Sequence, residues 1–138
     1  MREILFRGKD VVTGQMVYGN YSKWVEPMDK PIELEGITNE NNISFVIESK
    51  SVEQYTGLND VNGVKIFEGD ITKTIINDNH WWVYKIGYVE SKDNNLYQIP
   101  LYNSFNTKLP YVFDYIHKDC EVIGNIHDNP ELLEVQDA

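Results

Sequence analysis

Two chain reversals within about twenty residues constrain this sequence more than any other feature, because only short β-strands fit between turns so close together. The stretch runs Gln54-Tyr55-Thr56-Gly57-Leu58-Asn59-Asp60-Val61-Asn62-Gly63-Val64-Lys65-Ile66-Phe67-Glu68-Gly69-Asp70-Ile71. Asn62-Gly63 predicts a two-residue hairpin loop, which needs positive φ at both central positions; Asn and Gly tolerate that best. Asp60 is placed to accept a backbone hydrogen bond at the entry to the turn. Val64 to Phe67 reads as the return strand, Glu68-Gly69-Asp70 as a second turn, and Ile71 to Ile75 as the next strand. Gly57, Asn62, Gly63, Glu68, Gly69 and Asp70 are thus a structural turn framework. The two carboxylates around Gly69 also resemble a catalytic pair. Turn formation is the weightier reading, since a pair needs a cleft and shifted pKa values.

The rest of the chain alternates in the same way. Residues 3–7 and 15–21 predict an N-terminal hairpin across the turn Asp10–Gly14, with Trp24 and Val25 extending the second strand. Pro27, Pro31 and Gly36 predict a long loop with a short strand over 26–42, the segment best suited to partner contact. Ile43, Phe45 and Ile47 alternate onto one face of a further strand. After the polar turn Asn77–His80, residues 81–89 are the most apolar strand. Trp82, Tyr84, Ile86 and Tyr88 fall on one face, and Trp81, Val83, Lys85 and Gly87 on the other. Lys85 argues that the second face is partly wet, which makes Trp81 and Val83 candidate interaction residues; packing under a loop is the competing reading. Residues 91–95 read as a turn, and 96–101 as a strand in which Pro100 marks an edge. Residues 103–110 read as loop, 111–116 as a strand or helical turn, and 122–126 as the closing strand, where Gly124 fits a bulge or close backbone approach. Asn129-Pro130 predicts a one-turn helix capped by Asn129, with Leu132 and Leu133 closing the mouth of a barrel.

Chemistry is sparse. His80, His117 and His127 lack the spacing of a helical zinc pair, and there is no cysteine pair. No phosphate loop, nucleophile elbow or dinucleotide fingerprint appears. No metal, cofactor or catalytic residue is therefore expected, and the chain reads as a non-enzyme. The one cysteine, Cys120, reads as a small buried hydrophobe and excludes an intrachain disulfide. The net charge of −10 is spread evenly along the chain, which disfavours nucleic acid. No apolar run is long enough to span a membrane, and the N-terminus lacks a signal peptide's apolar core, so the cytoplasm of a bacterial host is expected.

Gln54-Tyr55-Thr56-Gly57-Leu58, Asn62-Gly63 and Ile66-Phe67-Glu68-Gly69-Asp70-Ile71 resemble the signature of the YopX family of phage and prophage proteins. Arg2-Glu3-Ile4-Leu5-Phe6-Arg7 resembles that family's opening strand. Glu121-Val122-Ile123-Gly124-Asn125-Ile126, with Asn129-Pro130-Glu131-Leu132-Leu133, resembles its closing motif. The blocks frame nearly the whole chain in order. One departure is Gly8-Lys9-Asp10, where the family often carries a small residue, Trp and Asp. Residues 77–118 match no motif. The resemblance implies an SH3-like β-barrel and a phage origin, and no activity.

The expectation is therefore one YopX-like, all-β domain over 1–138. It comprises an N-terminal β-hairpin subdomain (1–49), a small SH3-like barrel (50–138) and a short C-terminal helical turn. The expected role is a protein-interaction module of unknown partner, with self-association into a homo-oligomer plausible. The alternative is a nucleic-acid-associated barrel in phage replication or regulation, which would need a local Lys patch beside aromatics.

Overall fold

The computed structural model describes residues 4–77, 79–88, 96–105, 116 and 119–133. Their regular structure is strand and two 3-10 turns, with no α-helix among the described residues. The chain divides into two compact units, Met1–Tyr55 and Thr56–Ala138.

In the first unit, β1 (Phe6–Lys9) pairs antiparallel with β2 (Met16–Glu26) across a turn that Asp10 organises. The Asp10 carboxylate accepts the Val12 N–H at 3.1 Å and the Thr13 hydroxyl at 3.0 Å. β2 continues through Trp24 and Val25, as its composition predicts, and pairs with β3 (Ile32–Thr38) along all seven β3 residues. The long loop with a short strand expected over 26–42 is therefore corrected in part: the strand is a full seven residues, Ile32–Thr38, paired along its whole length with β2. Pro27 and Pro31 lie in the connecting tip, where neither needs to donate a ladder hydrogen bond. Gly36 lies within β3 because the Trp24 ring occupies the space above it, 2.7 Å from where a Cβ would stand.

β4 (Ser44–Val46) flanks β3, and the first part of β5 (Glu53–Asn59) flanks β1. A 3-10 turn, η1 (Ser49–Ser51), precedes β5. The buried residues here are Ile37, Ile47 and Tyr55 together with Arg7, Asp10, Ser51 and Glu53. Arg7 Nε and Nη2 both reach Glu53 Oε1 at 2.9 Å. The Ser51 hydroxyl accepts the Lys9 N–H and donates to the Glu48 carbonyl.

β5 runs on into the second unit, where β6 (Lys65–Phe67) joins it. The remaining strands form a four-stranded antiparallel sheet in the order β10-β7-β8-β9: β7 (Asp70–Asn77), β8 (His80–Tyr88), β9 (Leu96–Asn103) and β10 (Cys120–Asn125). Pro100 lies on the edge strand β9, as expected, beside a bulge that leaves Leu101 unopposed. The bulge expected near Gly124 is present: Val122 faces Thr72, Gly124 faces Ile71, and Ile123 is the extra residue. Gly124 is also a close approach, since a Cβ there would meet Asn129 Oδ1 at 2.5 Å.

Both faces of this sheet are packed. Ile66, Ile86 and Cys120 form one cluster with Leu58, Ile116 and Val122. Ile71, Val83 and Tyr102 form another with Trp81, Ile123, Ile126, Leu132 and Leu133. The two leucines, carried on the 3-10 turn η2 (Pro130–Leu133), thus cover a sheet face. Asn129 caps differently from the expectation: its side-chain oxygen accepts the Asn125 N–H behind it, at 3.3 Å. The strand orders run from edge to edge, so the described residues form two antiparallel sheets and no closed barrel. No helix among them is long and apolar enough to cross a membrane. The readings for 91–95, 106–115 and His117 fall outside the described residues.

Candidate functional site

The hairpin after β5 is held by one carboxylate. Asp60 Oδ1 accepts the N–H groups of Asn62 (2.8 Å) and Val64 (2.9 Å). Its Oδ2 accepts the Val122 N–H of β10 at 2.9 Å. Burial alone would raise its pKa; the donors from Val122, Val64 and Asn62 outweigh burial and hold it below the ordinary aspartate value. The turn is not the two-residue form expected. Gly63 N–H bonds to the Asp60 carbonyl, Asp60 N–H bonds to the Val64 carbonyl, and only Gly63 of the central pair has positive φ, at 79°. This is a three-residue loop with glycine in the left-handed position, and the Asp60 carboxylate fixes it.

Glu68-Gly69-Asp70 is a turn, as predicted. The Asp70 carboxylate is buried and accepts the Phe67 N–H at 2.8 Å. Gly69, at φ 83°, donates its N–H to the Ile86 carbonyl and accepts the Ile126 N–H. Gly57 also has positive φ. The framework residues therefore join β5, β6, β8 and the C-terminal turn through backbone hydrogen bonds.

Cys120 is fully buried across from Thr74. Burial, then the charge of Asp60, pushes its thiol up to about 11, so at neutral pH it is protonated. Among the described residues no three His, Cys, Asp or Glu side chains gather as a metal site.

The surface feature of this unit is on β8. Pairing with β7 puts Trp81, Val83 and Lys85 on one face with Ile71, Lys73 and Ile75, and Trp82 and Tyr84 on the other with Thr72 and Thr74. Val83, expected at a partly wet face, is 2% exposed and lies in the core. Trp81 is half-buried in the same cluster, edge-on to Tyr102 at 6.4 Å, with Lys73 Nζ 4.7 Å from its ring centroid. Trp82, on the face without Lys85, is the more open of the two tryptophans, at 37% exposure.

The turn after β9 completes this end of the sheet. Ser104 N–H bonds to the Trp81 carbonyl at 2.9 Å, and Phe105 N–H to Asn103 Oδ1 at 3.0 Å. That brings the exposed Phe105 ring to 4.9 Å from His80. His80 and Trp82 share a face by strand alternation, and Ile75 is exposed on the other face nearby. The sequence signal for this surface is the aromatic density of 80–84, and alternation alone does not reveal which tryptophan sits where cover runs out.

A family model described as YopX protein matches residues 5–134. The fold resembles the crystal structure of protein EF1440 from Enterococcus faecalis, with a TM-score of 0.54 and 26% sequence identity over 97% of this chain and 100% of that one. No curated protein matches.

Proposed function

The chain belongs to the YopX family, and we propose that it acts as a non-enzymatic protein-interaction module whose contact surface is the aromatic end of β8. The observation that carries this reading is the exposure of Trp82 and Phe105 on a strand paired on both sides and on a hydrogen-bonded turn. Aromatic side chains on fixed backbone bury much area on binding at little entropic cost. Val83 takes no part as a direct contact in this proposal, and Trp81 acts from behind by supporting the strand. The even negative charge favours protein over nucleic acid as the partner. A phage origin, the cytoplasm as the site of action and self-association belong to the same proposal. So does the SH3-like barrel reading of residues 50–138.

The test is a pull-down from bacterial lysate, treated with nuclease, comparing the wild-type chain with Trp82→Ala and Phe105→Ala. Both residues are exposed, so the variants keep the wild-type circular dichroism spectrum. The reading expects a captured protein that survives nuclease and is lost with either variant. A catch unchanged by both variants, or one abolished by nuclease, defeats it.

A further inference from the structure

Among the described residues, the outer halves of β2 and β3 have no third strand on either side. β1 pairs with β2 only over Met16–Gly19, and β4 with β3 only over Gly36–Thr38. Residues Trp24–Glu26 and Ile32–Leu34 pair with one another and, among the described residues, with no further strand. A two-stranded ribbon is marginal in water, and sheets normally blunt such edges with Lys and Pro. Lys23, Pro27 and Pro31 serve that purpose here. The apolar side chains nevertheless remain open: Val25 is 58% exposed, Met28 58% and Ile32 47%.

Side chains brace the ribbon in advance. Trp24 lies over Gly36 and donates its indole N–H to Glu26 at 3.0 Å. On the opposite face the Tyr21 hydroxyl bonds to Glu35, and Lys23 Nζ lies 2.7 Å from Glu33. A braced arm loses little conformational freedom on binding. Its charge selects the partner. Residues 21–35 carry four carboxylates, Glu26, Asp29, Glu33 and Glu35, against two ammonium groups, Lys23 and Lys30.

We propose that this ribbon is a docking arm for an extended, cationic segment of a partner protein, one that alternates Lys or Arg with apolar residues. Such a segment adds along the outer edge of β3 over Ile32–Leu34, which meets no further strand among the described residues and where backbone groups supply affinity. Its apolar side chains meet Ile32 and Leu34 on one face of the ribbon, and its cations meet Glu33 and Glu35 on the other. A second copy of this chain, at net charge −10, would bring like charges together. Nucleic acid and anionic lipid carry the same wrong sign. The arm is independent of the aromatic end of β8, so Trp82→Ala leaves its binding unchanged.

The test uses the full chain labelled with nitrogen-15, titrated with a short peptide alternating Lys and Val and, separately, with one alternating Glu and Val. The Lys peptide is expected to shift the amides of 21–26 and 32–34, and added salt to weaken it. The double variant Ile32→Lys, Glu33→Lys, which replaces one apolar and one anionic contact, is expected to lower its affinity at least about tenfold. Unchanged amides at 7–9 and 53–55, in the same unit, show that this variant is folded. Three results would overturn the proposal: no shift in the ribbon, equal binding of the Glu peptide, or binding by the double variant as tight as wild type. Concentration-dependent shifts confined to the ribbon, with a doubled mass by light scattering, would also overturn it, because the occupant would be a second copy.

Discussion

The two units of this chain use different physics to hold similar strands. In Met1–Tyr55 the buried set is polar as much as apolar, with Arg7, Asp10, Ser51 and Glu53 beside Ile37, Ile47 and Tyr55. In Thr56–Ala138 three apolar clusters sit on the four-stranded sheet. A sheet covered on both faces is stabilised by area removed from water, which tolerates small errors of geometry. A unit organised around a buried ion pair depends on partners being present, since a charge left alone in the interior is worse than no charge.

The largest effect is therefore expected in the smaller apolar core. Arg7→Met leaves the Glu53 carboxylate buried without its guanidinium, at a cost of about 3–5 kcal/mol. Arg7→Met with Glu53→Leu removes both charges and recovers most of that loss. Thermal unfolding of the two variants checks it; a single variant as stable as the wild type would mean the pair does not organise the unit. Ile86→Ala tests the other side. It opens a cavity among Ile66, Ile86 and Cys120 and is expected to cost about 2–5 kcal/mol, with no second substitution nearby that restores it as charge removal does.

These contrasts also mark what can be read from the sequence. Turn chemistry and period-two alternation locate the strands of the second unit, including Pro100 on an edge and the bulge at Gly124. They do not say which face of β8 is wet, because both faces are covered and exposure depends on where the cover ends. Val83 is core for that reason, and Trp82, one residue away, is surface. Pro27, Pro31 and Gly36 suggest a loop where a ribbon stands, because their meaning depends on position: two prolines in the tip and a glycine under Trp24. Asn62-Gly63 marks the reversal, but the Asp60 bond to Val122 spans 62 residues and leaves no local pattern.

Asp60 carries the next effect in size. Asp60→Asn replaces an acceptor oxygen by a donor, so a backbone N–H of the hairpin or of β10 loses its partner, at about 1–3 kcal/mol at neutral pH. The charge adds a pH signature. The folded pKa lies below the unfolded value of about 3.9, so this stabilisation is fully present above that value. It is lost as pH falls through the folded pKa. The stability gap between wild type and Asp60→Asn is expected to be constant from pH 5 to 7 in urea titrations and to narrow below about pH 3.9. A gap that widens in acid would mean the carboxylate is not held by these donors.

The smallest effect is expected in the ribbon, and it separates local from global stability. Lys23→Ala removes an exposed ion pair with Glu33 and should leave the melting temperature unchanged, since solvent screens such pairs. The ribbon amides of Trp24 and Leu34 should exchange with deuterium by local opening, far faster than those of Thr72 and Val83. Ile86→Ala should then speed exchange at Thr72 and Val83 by the factor its stability loss dictates, and leave Trp24 and Leu34 as they were. If all four amides accelerate together, the ribbon opens only with the sheet of the second unit, and the two regions are one cooperative structure. If they separate, the apolar residues of the arm contribute little to folding, and their presence calls for the partner that covers them.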